Sequence, residues 1–309
     1  MFLILYLIPG MKKWITSNYD YMVPEFDDDG STSTSTLQPN FDSFLDSIKR
    51  GIDEIGLKAA TPVVVGPVTM VYLTKFNSFS SGFEIEQRRQ LLLQLIPIYK
   101  SLLLDVANLG VSEIQIHEAA LVFEDSQLLP LFKEAYPSIL PPKKDNNGQS
   151  INMVASFMED IGKDHYQWLI SVDEISIISL DFTRGDNLSF METYGFPKEK
   201  TLGAGLIDSR NVWRVNPKVI EPIIGHLIKL TNNIRVQPSG SLQYNPWSLV
   251  DEKSILVHPA GQVLSFAAEK LQEVVLVAKS IKNGHSVLKP VSKLWKTYQA
   301  SIEIGRAHV

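Results

Sequence analysis

A strict alternation constrains this chain more than any other feature. Six short apolar runs, Pro62–Val65, Glu113–His117, Ile151–Ser156, Ile175–Asp181, Leu202–Ile207 and Ile234–Gln237, have the length and β-branched character of buried strands. Between and after them come helical patterns: Phe83–Leu109, expected to bend near Pro97, then Ser126–Tyr136, Asp164–Val172, Asp186–Tyr194, Pro217–Leu230 and Gly261–Lys282. A further helical stripe, Phe41–Ile55, precedes the first run. No Asn-Gly turn joins two runs directly, so hairpins have no support. Strands that alternate with helices pair in parallel through right-handed crossovers. The expected fold class is α/β, an incomplete (β/α)8 TIM-type barrel of about six βα units. A doubly wound open sheet is the alternative. No Gly-x-Gly-x-x-Gly follows a strand and no P-loop occurs, so nucleotide binding has no support.

In such a fold, ligands bind at the loops that follow the strands. The clearest of these loops closes the stretch Thr201–Arg214, TLGAGLIDSRNVWR. Gly203 and Gly205 are spaced for a closely packed strand. Asp208, Ser209, Arg210, Asn211 and Arg214 follow it, and Pro217 opens a helix. Arg210, Asn211 and Arg214 are therefore the candidate barrel-mouth polar residues. The structural reading is that Arg210 pairs with Asp208 to stiffen the loop, and spacing alone favours it.

Composition excludes several functions. The 309 residues are 44% hydrophobic and carry a net charge of -5, which offers no basic field for nucleic acid. No lysine-rich amphipathic helix points to a membrane surface. The expected location is the cytoplasm, with an organelle as the alternative. There is no cysteine, hence no disulfide, no thiol nucleophile and no cysteine-ligated zinc. The six histidines are scattered. His117-Glu118 opens like a zinc-protease helix but lacks the second histidine. No metal site and no catalytic residue is expected on this chain.

The flanks differ from the alternating body. Met1–Ile8 is apolar but far shorter than the ~20 residues that span a bilayer, and no basic residue precedes it. KKWITSNYDYMVPEF, from Lys12, reads as an ordered connection with Tyr19, Tyr21 and Phe26 packing inward. Residues 27–40, DDDGSTSTSTLQPN, are expected to form a mobile loop. The C-terminal EIGRAHV resembles the translation of a sequencing adapter, so the natural reading frame is expected to continue. The expected organisation is an N-terminal extension over 1–12, a partial barrel over 13–285 and a tail over 286–309.

Five segments stand out in order: KWITSNYDYMVPEF at 13–26, VVVGPVTMVYLTK at 63–75, QIHEAALV at 115–122, AGLIDSRNVWR at 204–214 and RVQPSGSLQYNPWSL at 235–249. Together they resemble the N-terminal barrel of cobalamin-independent methionine synthase. The first is similar to that family's K-W-x-x-x-N-Y-x-Y-x-V-P-E, the second to its strand-turn-helix element with Gly-Pro-Val-Thr, and the third to Q-I-D-E-P-A-L-V. The resemblance implies methyl transfer from 5-methyltetrahydropteroyltriglutamate to homocysteine by two cooperating barrels. It implies that zinc and homocysteine belong to the C-terminal barrel, absent here, and that the N-terminal barrel helps hold the folate tail. It singles out Lys13, the lysine before the tryptophan, as the polyglutamate contact. A hydrated point charge suits a tail of several carboxylates; apart from the resemblance, Lys13 reads as a solvated surface lysine.

The departures matter too. The family's barrel begins with two further βα units, which this chain lacks. His117 stands for an aspartate, Ala119 for a proline, and Gly240 and Tyr244 for a cysteine and a histidine. Two readings stay open, a truncated synthase without its zinc barrel and a stand-alone non-catalytic binding or regulatory module. A reading frame past codon 302 encoding His-x-Cys would favour the first, and an in-frame stop the second. A uroporphyrinogen decarboxylase-like barrel would want several arginines near the first strand, and none is there.

Overall fold

The computed structural model describes residues 11–13, 15, 20–22, 24–26, 37–76, 84–123, 125–142, 149–155 and 159–307. Met1–Ile8, Trp14, Tyr19, residues 27–36 and most of the Pro141–Gly148 loop fall outside them. Two compact units are present: Met1–Ala155 with Ile161–Ile178, and Ser156–Asp160 with Ser179–Val309.

The first unit opens with β1 (Met11–Lys13) and β2 (Asp20–Met22), an antiparallel pair with Lys13 opposite Asp20. β3 (Glu25–Phe26) follows. Then come α1 (Asp42–Ile55), β4 (Val63–Val65), α2 (Pro67–Leu73) and β5 (Lys75–Phe76), which pairs in parallel with β3. The ordered connection expected around Tyr21 thus contains short strands. The Tyr21 hydroxyl donates to the Leu73 carbonyl at 3.1 Å. Next are α3 (Glu84–Asn108), β6 (Glu113–His117), α4 (Leu128–Ile139), β7 (Ser150–Val154) and α5 (Lys163–Ser171). α3 is long and apolar enough to cross a membrane by length and composition. Its Leu91, Leu92, Leu95, Tyr99, Leu102, Leu103 and Val106 are buried at helical spacing, so that apolarity serves packing within the unit. Pro97 is inside the helix.

β8 (Ile177–Asp181) begins in the first unit and ends in the second. The second unit continues with α6 (Asn187–Tyr194), β9 (Thr201–Ile207), α7 (Pro217–Leu230), β10 (Ile234–Pro238), α8 (Lys253–Leu256), α9 (Ala267–Asn283) and α10 (Lys289–Ala307). Residues set apart as a tail on sequence thus form α10, whose Trp295 donates to the Val215 carbonyl at 3.1 Å.

The main sheet is parallel, in the order β10–β9–β8–β7–β6–β4. Among the described residues that order ends at β4 and β10, so the sheet is unclosed. Sequential strands are neighbours, as right-handed crossovers require. All five residues of β8 are buried, as expected of a parallel strand covered on both faces. In β9 a Cβ on Gly205 would lie 2.8 Å from the Leu180 carbonyl oxygen and 2.9 Å from the Ser239 Cα. Only glycine lets the strands approach that closely.

Candidate functional site

In the second unit, three strand ends carry polar groups. Asp181 ends β8, Asp208 and Ser209 follow β9, and Ser239 follows β10. The Asp208 carboxylate organises its own loop: Oδ1 accepts the Arg210 backbone N–H at 2.8 Å, and Oδ2 accepts Asn211 Nδ2 at 2.6 Å. The Arg184 guanidinium lies 3.4 Å from the Asp208 carboxylate. Asn211 Oδ1 accepts the Trp213 N–H at 2.9 Å, which makes Asn211 a brace of the turn. Arg214 donates to the Leu264 carbonyl at 3.3 Å and lies 4.0 Å from Glu273. Arg210 is the exposed member of the three.

Behind this loop lies Lys270 of α9, with no exposed surface. Its Nζ donates to the carbonyls of Asp208 at 2.7 Å and Trp213 at 2.9 Å. Burial holds the Lys270 ammonium below its ordinary pKa and raises Glu273 above the usual carboxylate range. Asp181 is also fully buried. Its Oδ1 takes the Thr183 N–H and hydroxyl, both at 2.7 Å, while Oδ2 has no partner. Burial pushes its carboxyl up to about 6, against the Thr183 donors.

In the first unit, Lys13 is exposed at the end of β1. The first unit also holds a sealed cluster around Glu118, just past β6. Glu118 accepts the Thr69 backbone N–H at 2.6 Å and the hydroxyls of Thr69 and Tyr136. The structure therefore gathers Arg210, Asn211 and Arg214 on one loop of the second unit, while Lys13 belongs to the first. Asp181, Lys270, Glu273 and Glu118 escaped the sequence reading. Asp181 alone had a signal, a carboxylate closing the apolar run Ile177–Leu180.

The model of the family described as cobalamin-independent synthase, N-terminal domain, matches residues 9–231. This chain belongs to that family. It is 38% identical over 291 residues to the 5-methyltetrahydropteroyltriglutamate–homocysteine methyltransferase of Trichodesmium erythraeum, covering 93% of this chain and 36% of that protein. The enzyme of that name from Synechococcus sp. is 36% identical, with 94% and 35% covered. That from Thermosynechococcus vestitus is 34% identical, with 94% and 36% covered. The chain thus spans about a third of the length of these relatives. A solved B12-independent methionine synthase from Shewanella sp. W3-18-1 is similar at a TM-score of 0.47 and 15% identity, over 74% of this chain and 66% of that one.

A zinc is implied by the family. The chain has no cysteine, and among the described residues no three or more histidines, aspartates and glutamates cluster in a way that could hold a metal. The donor set does not fit a thiolate-binding zinc site, which calls for soft ligands.

Proposed function

We propose that this chain is the folate-polyglutamate-binding N-terminal part of a cobalamin-independent methionine synthase. The match over residues 9–231 carries this reading, together with the one-third coverage of relatives named as 5-methyltetrahydropteroyltriglutamate–homocysteine methyltransferases. In the complete enzyme the methyl group passes from the folate to the homocysteine sulfur. That step needs a thiolate, since a neutral thiol is a poor nucleophile. The reading assigns thiolate formation, zinc and homocysteine to sequence beyond this chain, and compartment to the cytoplasm or an organelle.

This chain's share is recognition of the tail. Lys13 is exposed and places a flexible ammonium at the end of β1, which suits a hydrated string of carboxylates. Arg210 is the second choice. Arg184 shares its surroundings with Asp181 and Asp208, and Asp208 also takes the Arg210 backbone N–H, so that loop is a poorer anion site than its arginines suggest. Arg214 is the weakest of the three, engaged with Leu264 and Glu273.

The test is equilibrium binding of methyltetrahydropteroyltriglutamate and its monoglutamate to the chain, with an assay of methionine formation alongside. The triglutamate should bind more tightly, and turnover should equal the no-enzyme blank. Equal affinity for the two tails contradicts tail recognition; turnover above the blank contradicts the division of labour.

A further inference from the structure

Glu118 lies outside the tail-binding reading, yet it is the most enclosed carboxyl among the described residues of the first unit. It has no exposed surface. Its Oε1 accepts two donors from Thr69 of α2, and its Oε2 faces the Tyr136 hydroxyl of α4. The Thr69 hydroxyl also accepts the Ala120 N–H at 2.9 Å, so it is used on both sides. A Cβ on Gly66 would overlap the Glu118 carboxyl, which is why β4 can end so close to it.

The titratable groups around this carboxyl offer no compensating charge. From α3, Tyr99 donates to the Val65 carbonyl at 2.8 Å. From α4 comes Tyr136. From α5, a His165 ring nitrogen lies 2.9 Å from the Leu121 carbonyl oxygen. Along β6, burial holds the neighbouring His117 down at about 4, so it is neutral at neutral pH. Among the described residues neither Lys nor Arg partners Glu118, and burial pushes its carboxyl up to about 7.

Two protonation states fit the cage differently. The acid keeps both Thr69 donors on Oε1 and gives its proton to the Tyr136 oxygen, so the cluster stays neutral. The carboxylate keeps the Thr69 and Tyr136 donors and that of the Val68 backbone N–H, but among the described residues it is a charge without a cation in a low-dielectric interior, which is costly. We propose that Glu118 is a proton-operated clasp: holding a proton it closes the ends of β4, β6 and α4 on one another, and losing it opens them.

Hydrogen exchange tests this directly, because the Thr69 and Ala120 amides both donate into the cluster. After correction for intrinsic exchange, protection of segments 66–73 and 118–123 should fall as pH rises from about 4.5, the ordinary value that an opened Glu118 regains, to about 7, by up to about tenfold per pH unit, and should level off above that, where both forms have released the proton. Glu118→Gln, uncharged and of the same shape, should remove that slope. Tyr136→Phe takes a donor from the closed carboxylate and should move the upper end of the slope to higher pH, which serves if the Gln variant does not fold. A flat wild-type profile between about pH 4.5 and 7, the same slope in Glu118→Gln, or an unmoved upper end in Tyr136→Phe would overturn the clasp.

Discussion

The Lys270 ammonium donates to the Asp208 carbonyl oxygen at 2.7 Å from inside α9. With its second bond, to Trp213, it ties down both ends of the loop after β9. Three residues on, Glu273 accepts the Val215 N–H at 3.2 Å, and the Lys270 charge helps offset its own. Lys270→Met should therefore destabilise the chain by about 3 kcal/mol, from two lost charge-assisted bonds and a less compensated Glu273. Urea unfolding at pH 7 measures this. A loss under about 1 kcal/mol would mean the loop is held elsewhere.

Two glycines should respond oppositely to alanine. At Gly205 the added methyl meets backbone atoms of Leu180 and Ser239, which cannot turn away. Gly205→Ala should cost about 2–3 kcal/mol, in the range of overpacked cores. Gly225, within α7, has nothing within 4 Å of an added Cβ. There Gly225→Ala should stabilise by about 0.5–1 kcal/mol, through helix propensity. Thermal or urea midpoints of the two variants, compared with wild type, check both signs.

The contrast also shows what was legible. The six strands announced themselves through β-branched runs, and Glu113–His117 has the limits expected on sequence. The spacing of Gly203 and Gly205 pointed to close strand packing, because nothing else tolerates it. The partners of buried charges were not legible. Glu118 and Thr69 are 49 positions apart, and Lys270 and Asp208 are 62 apart. Lys270 and Glu273 look like solvent-facing residues of an amphipathic helix. Only the fold shows α9 turning them inward. β1 and β2 are each three residues long, too short for a period to register.

Asp181 gives a pH signature in the second unit. Its folded pKa of about 6 stands above the ordinary 3.8. A raised carboxyl contributes stability that is fully present below the unfolded value and is lost as pH rises through the folded one. The loss between about pH 4 and 6.5 should be on the order of 3 kcal/mol. Asp181→Asn should remove this component, so the difference in unfolding free energy between variant and wild type grows in the variant's favour from pH 4 to 7. A difference independent of pH would place Asp181 in a solvated setting.

β4 ends the strand order, its Val63 is 44% exposed, and all three of its residues are valine. At the other end, β10 carries the exposed charge of Arg235. An uncharged edge invites pairing with another chain. The protein should self-associate at micromolar concentration, and Val63→Lys should reduce that more than a substitution on β10. Light scattering on both decides it. A monodisperse wild-type monomer would show that the β4 edge is protected.

The account rests most on Lys13 and the folate tail. One exposed charge contact is worth about 1 kcal/mol, roughly fivefold in affinity, and weakens with salt. The deciding measurement is calorimetric titration of wild type and Lys13→Ala with methyltetrahydropteroyltriglutamate and with the monoglutamate, at low and high ionic strength. The account predicts that Lys13→Ala weakens the triglutamate about fivefold at low salt, less at high salt, and leaves the monoglutamate nearly unchanged. An equal loss for both ligands, or none for either, would contradict it.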